Sequence, residues 1–176
     1  MKGNPPTGLG ALVFAALALA TAVPSQAAAS ARDVASCGEA ALGEPDDGWR
    51  KESAVAGRFG LYGPARDLRG PEIIRRDNGL FGAKLPAIIE GTDPVVLSVP
   101  NRWLGRVAID FGDLYTAKSL SQAHDRVTFR PCSKRDATGW PGGLIFNTRK
   151  SFELEVQVIG KNRVRTLALG PDAAHP

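Results

Sequence analysis

The stretch from Phe152 to Val158 restricts the fold of this chain more than any other segment. Apolar residues alternate strictly with polar ones in it, as Phe152, Leu154, Val156 and Val158 against Glu153, Glu155 and Gln157. Successive side chains of a β-strand point to opposite faces, so the pattern predicts a half-buried antiparallel strand. Gly160-Lys161-Asn162 supplies a hairpin loop of residues that tolerate positive φ, and Val164 to Leu169 is predicted to return as the partner strand.

The same period of two recurs upstream in shorter runs. Val107, Ile109 and Phe111 alternate with polar or small residues, and other β-prone runs are separated by Gly, Pro, Asn and Asp. Besides the hairpin, we predict strands over residues 55–62, 84–90, 95–99, 106–111, 126–130 and 143–148. About seven or eight short strands with no helix-periodic segment of more than two turns predict an all-β fold, an antiparallel β-sandwich. An open β-barrel is the alternative.

The N-terminus predicts export. Met1 and Lys2 form a short positive region, Leu9 to Val23 form an apolar core, and Pro24 ends it. Small residues then offer Ala-x-Ala cleavage sites as far as Ala31. The core is shorter than the roughly 20 apolar residues that cross a bilayer. We therefore predict a cleavable signal peptide over residues 1–31, a secreted or extracytoplasmic location, and no transmembrane segment after cleavage.

The remaining chain of roughly 145 residues has the common size of one domain. We expect a flexible lead-in over residues 32–51 that becomes ordered only if Cys37 is bridged, a β-sandwich domain over 52–170 and a disordered tail over 171–176. The 22 basic and 18 acidic residues, a net charge of +4, are interspersed along the chain. Nucleic-acid binding needs a clustered basic patch, so no nucleic-acid partner is predicted.

Two cysteines, Cys37 and Cys132, constrain the exported part. An even number of cysteines in an oxidising compartment predicts a disulfide between them. The alternative is a lipid anchor at the outer face of the membrane, because Val34-Ala35-Ser36-Cys37 is similar to the lipobox of bacterial lipoproteins. Arg32 and Asp33 separate the apolar core from this box, and charges so close to the membrane interface favour the disulfide.

The most distinctive string is Val127 to Cys132 followed by Gly139-Trp140-Pro141-Gly142-Gly143. Together with the C-terminal hairpin it resembles a group of exported, uncharacterised proteins of high-GC Gram-positive bacteria, over roughly Leu85 to Gly170. The resemblance implies an exported β-rich protein and carries no activity, ligand or site residue. A cysteine often opens the penultimate strand in that group, whereas Phe152 stands here, so its disulfide arrangement is not transferred.

Trp140 is the aromatic residue of the Gly-Trp-Pro-Gly-Gly turn. The structural interpretation is that Trp140 covers the end of the core. The proline fixes φ and the glycines accept conformations that other residues avoid, so the ring in this turn must either pack or project. The functional interpretation is a stacking platform for a sugar ring or a partner side chain, formed with Trp103 and Trp49. Both interpretations are open at the level of sequence.

Catalytic and metal-binding patterns are weak. His124 is the one histidine inside the predicted domain, no Gly-x-Ser-x-Gly elbow is present, and the neighbouring Asp125 is expected to face away from it. The two cysteines are too far apart for a zinc site, and the acidic stretch from Glu44 to Asp47 lacks the ligand spacing of a calcium loop. No metal and no cofactor are predicted.

These observations predict a secreted, non-catalytic binding or interaction module that meets a protein or another partner at the cell envelope. The inference from a β-sandwich to binding is an analogy of fold. Two alternatives stay open: an extracytoplasmic hydrolase that uses His124, and an envelope protein anchored by lipid at Cys37. Partner, strand order and oligomeric state are not predicted.

Overall fold

Short strands broken by Gly- and Pro-containing turns make up the computed structural model, which describes residues 33–40, 45, 48–69, 73–76, 78–111 and 117–173. The predicted signal peptide over residues 1–31 lies outside the described residues. Thirteen strands occur among them, and none of the described residues is α-helical. The strands are β1 (Val34–Ala35), β2 (Ser53–Ala56), β3 (Phe59–Tyr62), β4 (Ile73–Arg75), β5 (Phe81–Lys84), β6 (Ala87–Glu90), β7 (Val95–Ser98), β8 (Val107–Phe111), β9 (Arg126–Phe129), β10 (Ala137–Trp140), β11 (Gly142–Phe146), β12 (Phe152–Val158) and β13 (Val164–Leu169). Short 3-10 helices cover Cys37–Glu39, Trp49–Glu52, Pro64–Asp67, Asn101–Trp103 and Leu120–Gln122.

The strands form three sheets. Sheet A has the order β1-β9-β7-β12-β13, sheet B the order β10-β6-β3-β2, and sheet C the order β4-β5-β11-β8. Every pair is antiparallel except β1 with β9, which is parallel. Alternation sets the faces: in β12 the apolar positions Phe152, Leu154 and Val156 are buried, and Glu155 and Gln157 are exposed.

Two chain segments pass directly from sheet C into sheet B. β5 runs through Leu85-Pro86 into β6, and β10 runs through Pro141 into β11. β5 pairs with β11 and β6 pairs with β10, and between them the Leu85 N–H donates to the Gly142 carbonyl at 3.0 Å. A proline cannot donate a ladder hydrogen bond, so both ladders are interrupted at the same level. Sheets B and C therefore make one bent layer that faces sheet A.

Phe129 of sheet A lies at the centre of the core between the layers. Its ring centroid is 5.6 Å from that of Phe59 in sheet B, 5.2 Å from that of Trp140 in sheet B and 5.2 Å from that of Phe111 in sheet C. Such tilted and edge-on contacts are the preferred arrangement of aromatic rings. One buried apolar cluster thus draws side chains from all three sheets, and the predicted all-β, antiparallel sandwich is confirmed.

The number of strands exceeds the seven or eight that the sequence predicts. Residues 84–90, predicted as one strand, break at Pro86, and residues 55–62 form the hairpin β2–β3 instead of one strand. Gly57, with φ of +70°, makes the turn of that hairpin. Across Pro86 the period of two continues, since Ala83, Leu85, Ala87 and Ile89 all belong to the buried cluster, whereas at the hairpin it shifts by one residue between Ala56 and Phe59. Counting alternating runs therefore underestimates the strands.

Part of the expected lead-in belongs to the fold. Val34 and Ala35 pair with Thr128 and Phe129 of β9 at one edge of sheet A. The next residues hold Cys37, which is bonded to Cys132. The described start of the expected tail is also attached, since the Asp172 N–H donates to the Ser151 Oγ at 3.0 Å; residues 174–176 lie outside the described residues.

Candidate functional site

Trp140 lies inside the sandwich. Only 1% of its surface is exposed, and its edge contacts the ring of Phe129. Its Nε1–H donates to the carbonyl oxygen of Ser36 at 2.8 Å. A buried indole that has both packing partners and an acceptor is a structural side chain. The structural interpretation of the Gly-Trp-Pro-Gly-Gly segment is therefore correct, although the segment bends a strand rather than forming a turn.

Trp49 and Trp103 do not complete a stacking platform with Trp140. Trp49 is 5% exposed and lies against Gly60, where its ring occupies the space that a Cβ atom would take. Trp103 is partly buried, with its ring edge-on to Phe152 at a centroid distance of 6.1 Å. Its Nε1 is buried without a hydrogen-bond partner among the described residues. The predicted three-tryptophan surface is not formed, because the rings serve the core.

The disulfide between Cys37 and Cys132 is present. It closes a loop with a sequence separation of 95 residues and holds β1 beside β9. A cysteine sulfur in a disulfide cannot also carry a thioether-linked lipid. The lipid anchor through Cys37 is thus incompatible with this structure.

His124 is placed by backbone pairing with β8. The Ile109 N–H donates to the His124 carbonyl at 2.7 Å, and the His124 N–H donates to the Ile109 carbonyl at 2.9 Å. The side-chain Nδ1 lies 2.6 Å from Oδ1 of Asp33, just before β1. This contact orients the ring as a carboxylate orients a catalytic base. The sequence carries no local signal for this contact, since Asp33 and His124 lie 91 positions apart.

Asp110, next to Ile109 on β8, is the buried acid of this region. It is 5% exposed, receives a hydrogen bond from the backbone N–H of Ala117, and leaves Oδ2 without a partner among the described residues. Burial raises the pKa of Asp110, and the Ala117 N–H and the nearby charges of Arg76 and His124 oppose that shift in part. Arg76 also donates to the Ala117 carbonyl, which places its guanidinium beside the same segment.

Among the described residues, the His124 region lacks one component of a hydrolase site. A base and its orienting carboxylate are present, but no serine, threonine or cysteine side chain of the described residues hydrogen-bonds to the imidazole. A nucleophile must lie within hydrogen-bond reach of its base. The described residues of this region therefore hold and orient His124 without supplying a nucleophile.

A groove of about 510 Å³ opens on the outer face of sheet A, where β7 ends. The apolar part of its lining, which we call the floor, consists of Val99, Pro100 and Leu104 of the connection after β7. Its polar rim comes from sheet A and its loops, namely Ser98, Asn101, Arg102, Asp125, Arg126 and Glu155. Its volume lies in the range of ligand sites in proteins, about 300 to 1,000 Å³. We call these residues the sheet A groove.

Strand register puts three rim residues in one row. Ser98 of β7 is paired with Arg126 of β9 on one side and with Glu155 of β12 on the other. Directly opposed residues of antiparallel strands point to the same face. Their neighbours Leu97, Val127 and Val156 are buried, so the row faces outward.

Several charges of the sheet A groove have no ionic partner among the described residues. Arg102 pairs with Glu153 outside the groove. In the described part of the chain, no salt bridge engages Asp125, Arg126 or Glu155. Open charges of both signs around an apolar floor can contact a ligand without breaking an internal ion pair. Sequence patterns did not reveal this site, since its residues come from three separate strands.

Comparisons with known proteins add no relative. The chain matches no protein-family model, and the search of curated proteins found no significant match.

Within the described residues, no helix has both the length and the hydropathy needed to cross a membrane. In that same part of the chain, no three potential metal ligands come together. What the fold and the groove define is a disulfide-bonded β-sandwich with a mixed-charge surface groove.

Proposed function

We propose that this protein is an exported, non-catalytic binding module that engages a partner at the cell envelope through the sheet A groove. The observation that carries the proposal is that Asp125, Arg126 and Glu155, which form no salt bridge among the described residues, line one groove together with Val99, Pro100 and Leu104. Exposed charges elsewhere, such as Arg135 and Asp136, also lack a salt bridge in the described part of the chain, but they do not line this groove. Charges left open in a groove of ligand size favour binding of a partner there.

Two features support export. Residues 1–31 have the positive start, apolar core and small-residue cleavage sites of a signal peptide. The disulfide Cys37–Cys132 is the kind of bond that persists outside the cytosol. The resemblance to exported proteins of high-GC Gram-positive bacteria points the same way. The mass of the N-terminus of the protein recovered from its host tests this part, and recovery of the intact leader in the cytosol would contradict it.

Binding to isolated cell-envelope material tests the groove. The full chain is expressed, purified and incubated with envelope fragments, and the bound fraction is measured for wild type and for the double variant Arg126→Gln/Glu155→Gln. The control is Arg135→Gln/Asp136→Asn, which removes the same two charges from an exposed loop outside the groove. We expect the groove variant to lose most of the binding and the control to keep it. Equal binding by all three proteins would contradict the proposal.

The second candidate is an extracytoplasmic hydrolase that uses His124. The contact of 2.6 Å between His124 Nδ1 and Asp33 Oδ1 is the observation that favours it. A panel of ester, peptide and glycoside substrates tests it, with wild type compared with His124→Ala and Asp33→Asn. Hydrolysis that disappears in both variants while their folding is retained would support the hydrolase over the binding module. Hydrolysis absent from the wild type would remove this candidate.

A further inference from the structure

We propose that the sheet A groove binds an extended peptide segment that carries both an anionic and a cationic side chain. This inference rests on the proposed binding function and names the ligand class of the same site. The spacing of the open charges, their signs and the apolar residues in the same groove support it.

The row Arg126–Ser98–Glu155 sets the spacing. Neighbouring strands in a sheet lie about 4.8 Å apart, so two strand spacings separate the backbones of Arg126 and Glu155 by about 10 Å. The two side chains are long enough to lean towards each other, yet they form no ion pair with one another. A ligand can therefore place one charged group beside each of them.

The signs of the rim charges favour a ligand that carries both signs. A purely anionic polymer would meet Arg126 but be repelled by Asp125 and Glu155. A purely cationic one would meet the two carboxylates but be repelled by Arg126. A neutral glycan would form hydrogen bonds with these side chains but would neutralise none of their charges. A ligand with both signs satisfies both sides of the groove, which is electrostatic complementarity in its simplest form.

An extended peptide has matching dimensions. Its side chains i and i+2 point to one side and lie about 7 Å apart along the backbone. With flexible termini on both charged groups, that separation reaches from the vicinity of Arg126 to that of Glu155. The residue between them points away from the groove, because successive side chains of an extended backbone point in opposite directions. The segment therefore has the form acid–any residue–base.

The probe is the blocked tripeptide acetyl-Glu-Ala-Lys-amide, titrated into the isotope-labelled full chain and followed by NMR. The comparison peptides replace Glu by Gln, Lys by Gln, or both. We expect each ligand charge to improve affinity about two- to fivefold, the effect of an exposed ion pair. Shifted resonances should cluster at Ser98, Leu104, Arg126 and Glu155.

Charge-matched variants make the test specific. In Arg126→Gln, replacement of the peptide Glu by Gln should no longer change affinity, while replacement of the peptide Lys still should. In Glu155→Gln the opposite selectivity is expected. Arg135→Gln serves as the control and should respond as wild type does. Peptides of all four types binding equally, or not at all, would overturn the ligand class.

The envelope experiment keeps the two proposals apart. Envelope binding that depends on Arg126 and Glu155, combined with failure of the tripeptides, would retain the binding module and reject the peptide ligand. Loss of both would reject the groove as a site altogether. Charge-matched peptide selectivity together with groove-dependent envelope binding would support both.

Discussion

Removal of the disulfide is the perturbation whose magnitude the structure determines most directly. Cys37 and Cys132 close a loop with a sequence separation of 95 residues. On the chain-entropy model, a loop of that length restricts the unfolded state by about 4 to 5 kcal/mol. The double variant Cys37→Ser/Cys132→Ser should lose a free energy of unfolding of that size. β1 contains only two residues, and the disulfide is the cross-link that holds it beside β9. The pairing of β1 with β9 should therefore weaken as well.

Urea unfolding followed by tryptophan fluorescence measures this loss. For a protein of this size the free energy of unfolding falls by about 1 to 3 kcal/mol per molar urea, so the midpoint should drop by about 2 M. Wild-type protein reduced before unfolding is the control, because it breaks the same bond without a substitution. A midpoint within about 0.5 M of the oxidised wild type in both samples would refute the reasoning, since loop closure would then contribute almost nothing.

Three further perturbations test the core and the buried acid. Trp140→Phe removes the hydrogen bond to the Ser36 carbonyl and leaves a void, so urea unfolding should show a free energy of unfolding lower by about 2 to 4 kcal/mol. A decrease of less than about 0.5 kcal/mol would contradict the structural role of Trp140. Gly60→Ala puts a methyl group where the Trp49 ring lies, and overpacking should lower the free energy of unfolding by about 1 to 3 kcal/mol in the same urea experiment. Unchanged stability would show that the Trp49 ring is not held against Gly60. Burial raises the pKa of Asp110 in the folded state, so this carboxyl group lowers the stability of wild type as pH rises from its unfolded pKa through its folded pKa. Asp110→Asn should reduce this loss of stability in unfolding curves taken across that pH range. Parallel pH profiles of wild type and variant would contradict the assignment.

The fold class follows from local patterns that the structure preserves. β12 and β13 form where Phe152 to Val158 alternates and where Gly160 permits the turn, with Gly160 at φ of +83°. β8 likewise matches the run from Val107 to Phe111. In β12 period and burial agree, because the apolar positions are buried and Glu155 and Gln157 are exposed. In β8 all five residues are buried, so its alternation does not mark an exposed face.

The breaks between strands could not be predicted from period alone. A proline is unfavourable inside a central strand, yet the consequence of Pro86 depends on Pro141, which interrupts the paired ladder at the same level from a position far along the chain. The burial of Trp140 depends in the same way on the Ser36 carbonyl, which the disulfide brings near. Contacts across such sequence separations are set by the tertiary structure and leave no local signature.

The candidate site shows the same limit. The cysteine count led to the disulfide, and the single histidine of the domain drew attention to His124. Asp33 and the groove residues Arg126 and Glu155 carried no signal in the sequence. Charged residues are common in strands, and only the register of the sheet shows which residues lie beside them. Register is fixed by pairing across the whole sheet. The proposed function rests on the row of Arg126, Ser98 and Glu155 that this register brings together.

NMR shift mapping of the isotope-labelled full chain with solubilised fragments of the cell envelope shows directly whether the sheet A groove is the binding site. We expect the largest shifts on Ser98, Leu104, Arg126 and Glu155, and we expect Arg126→Gln/Glu155→Gln to abolish them. Shifts centred on His124 and Asp33, or saturable binding that leaves the four groove residues unchanged, would contradict this assignment of the site.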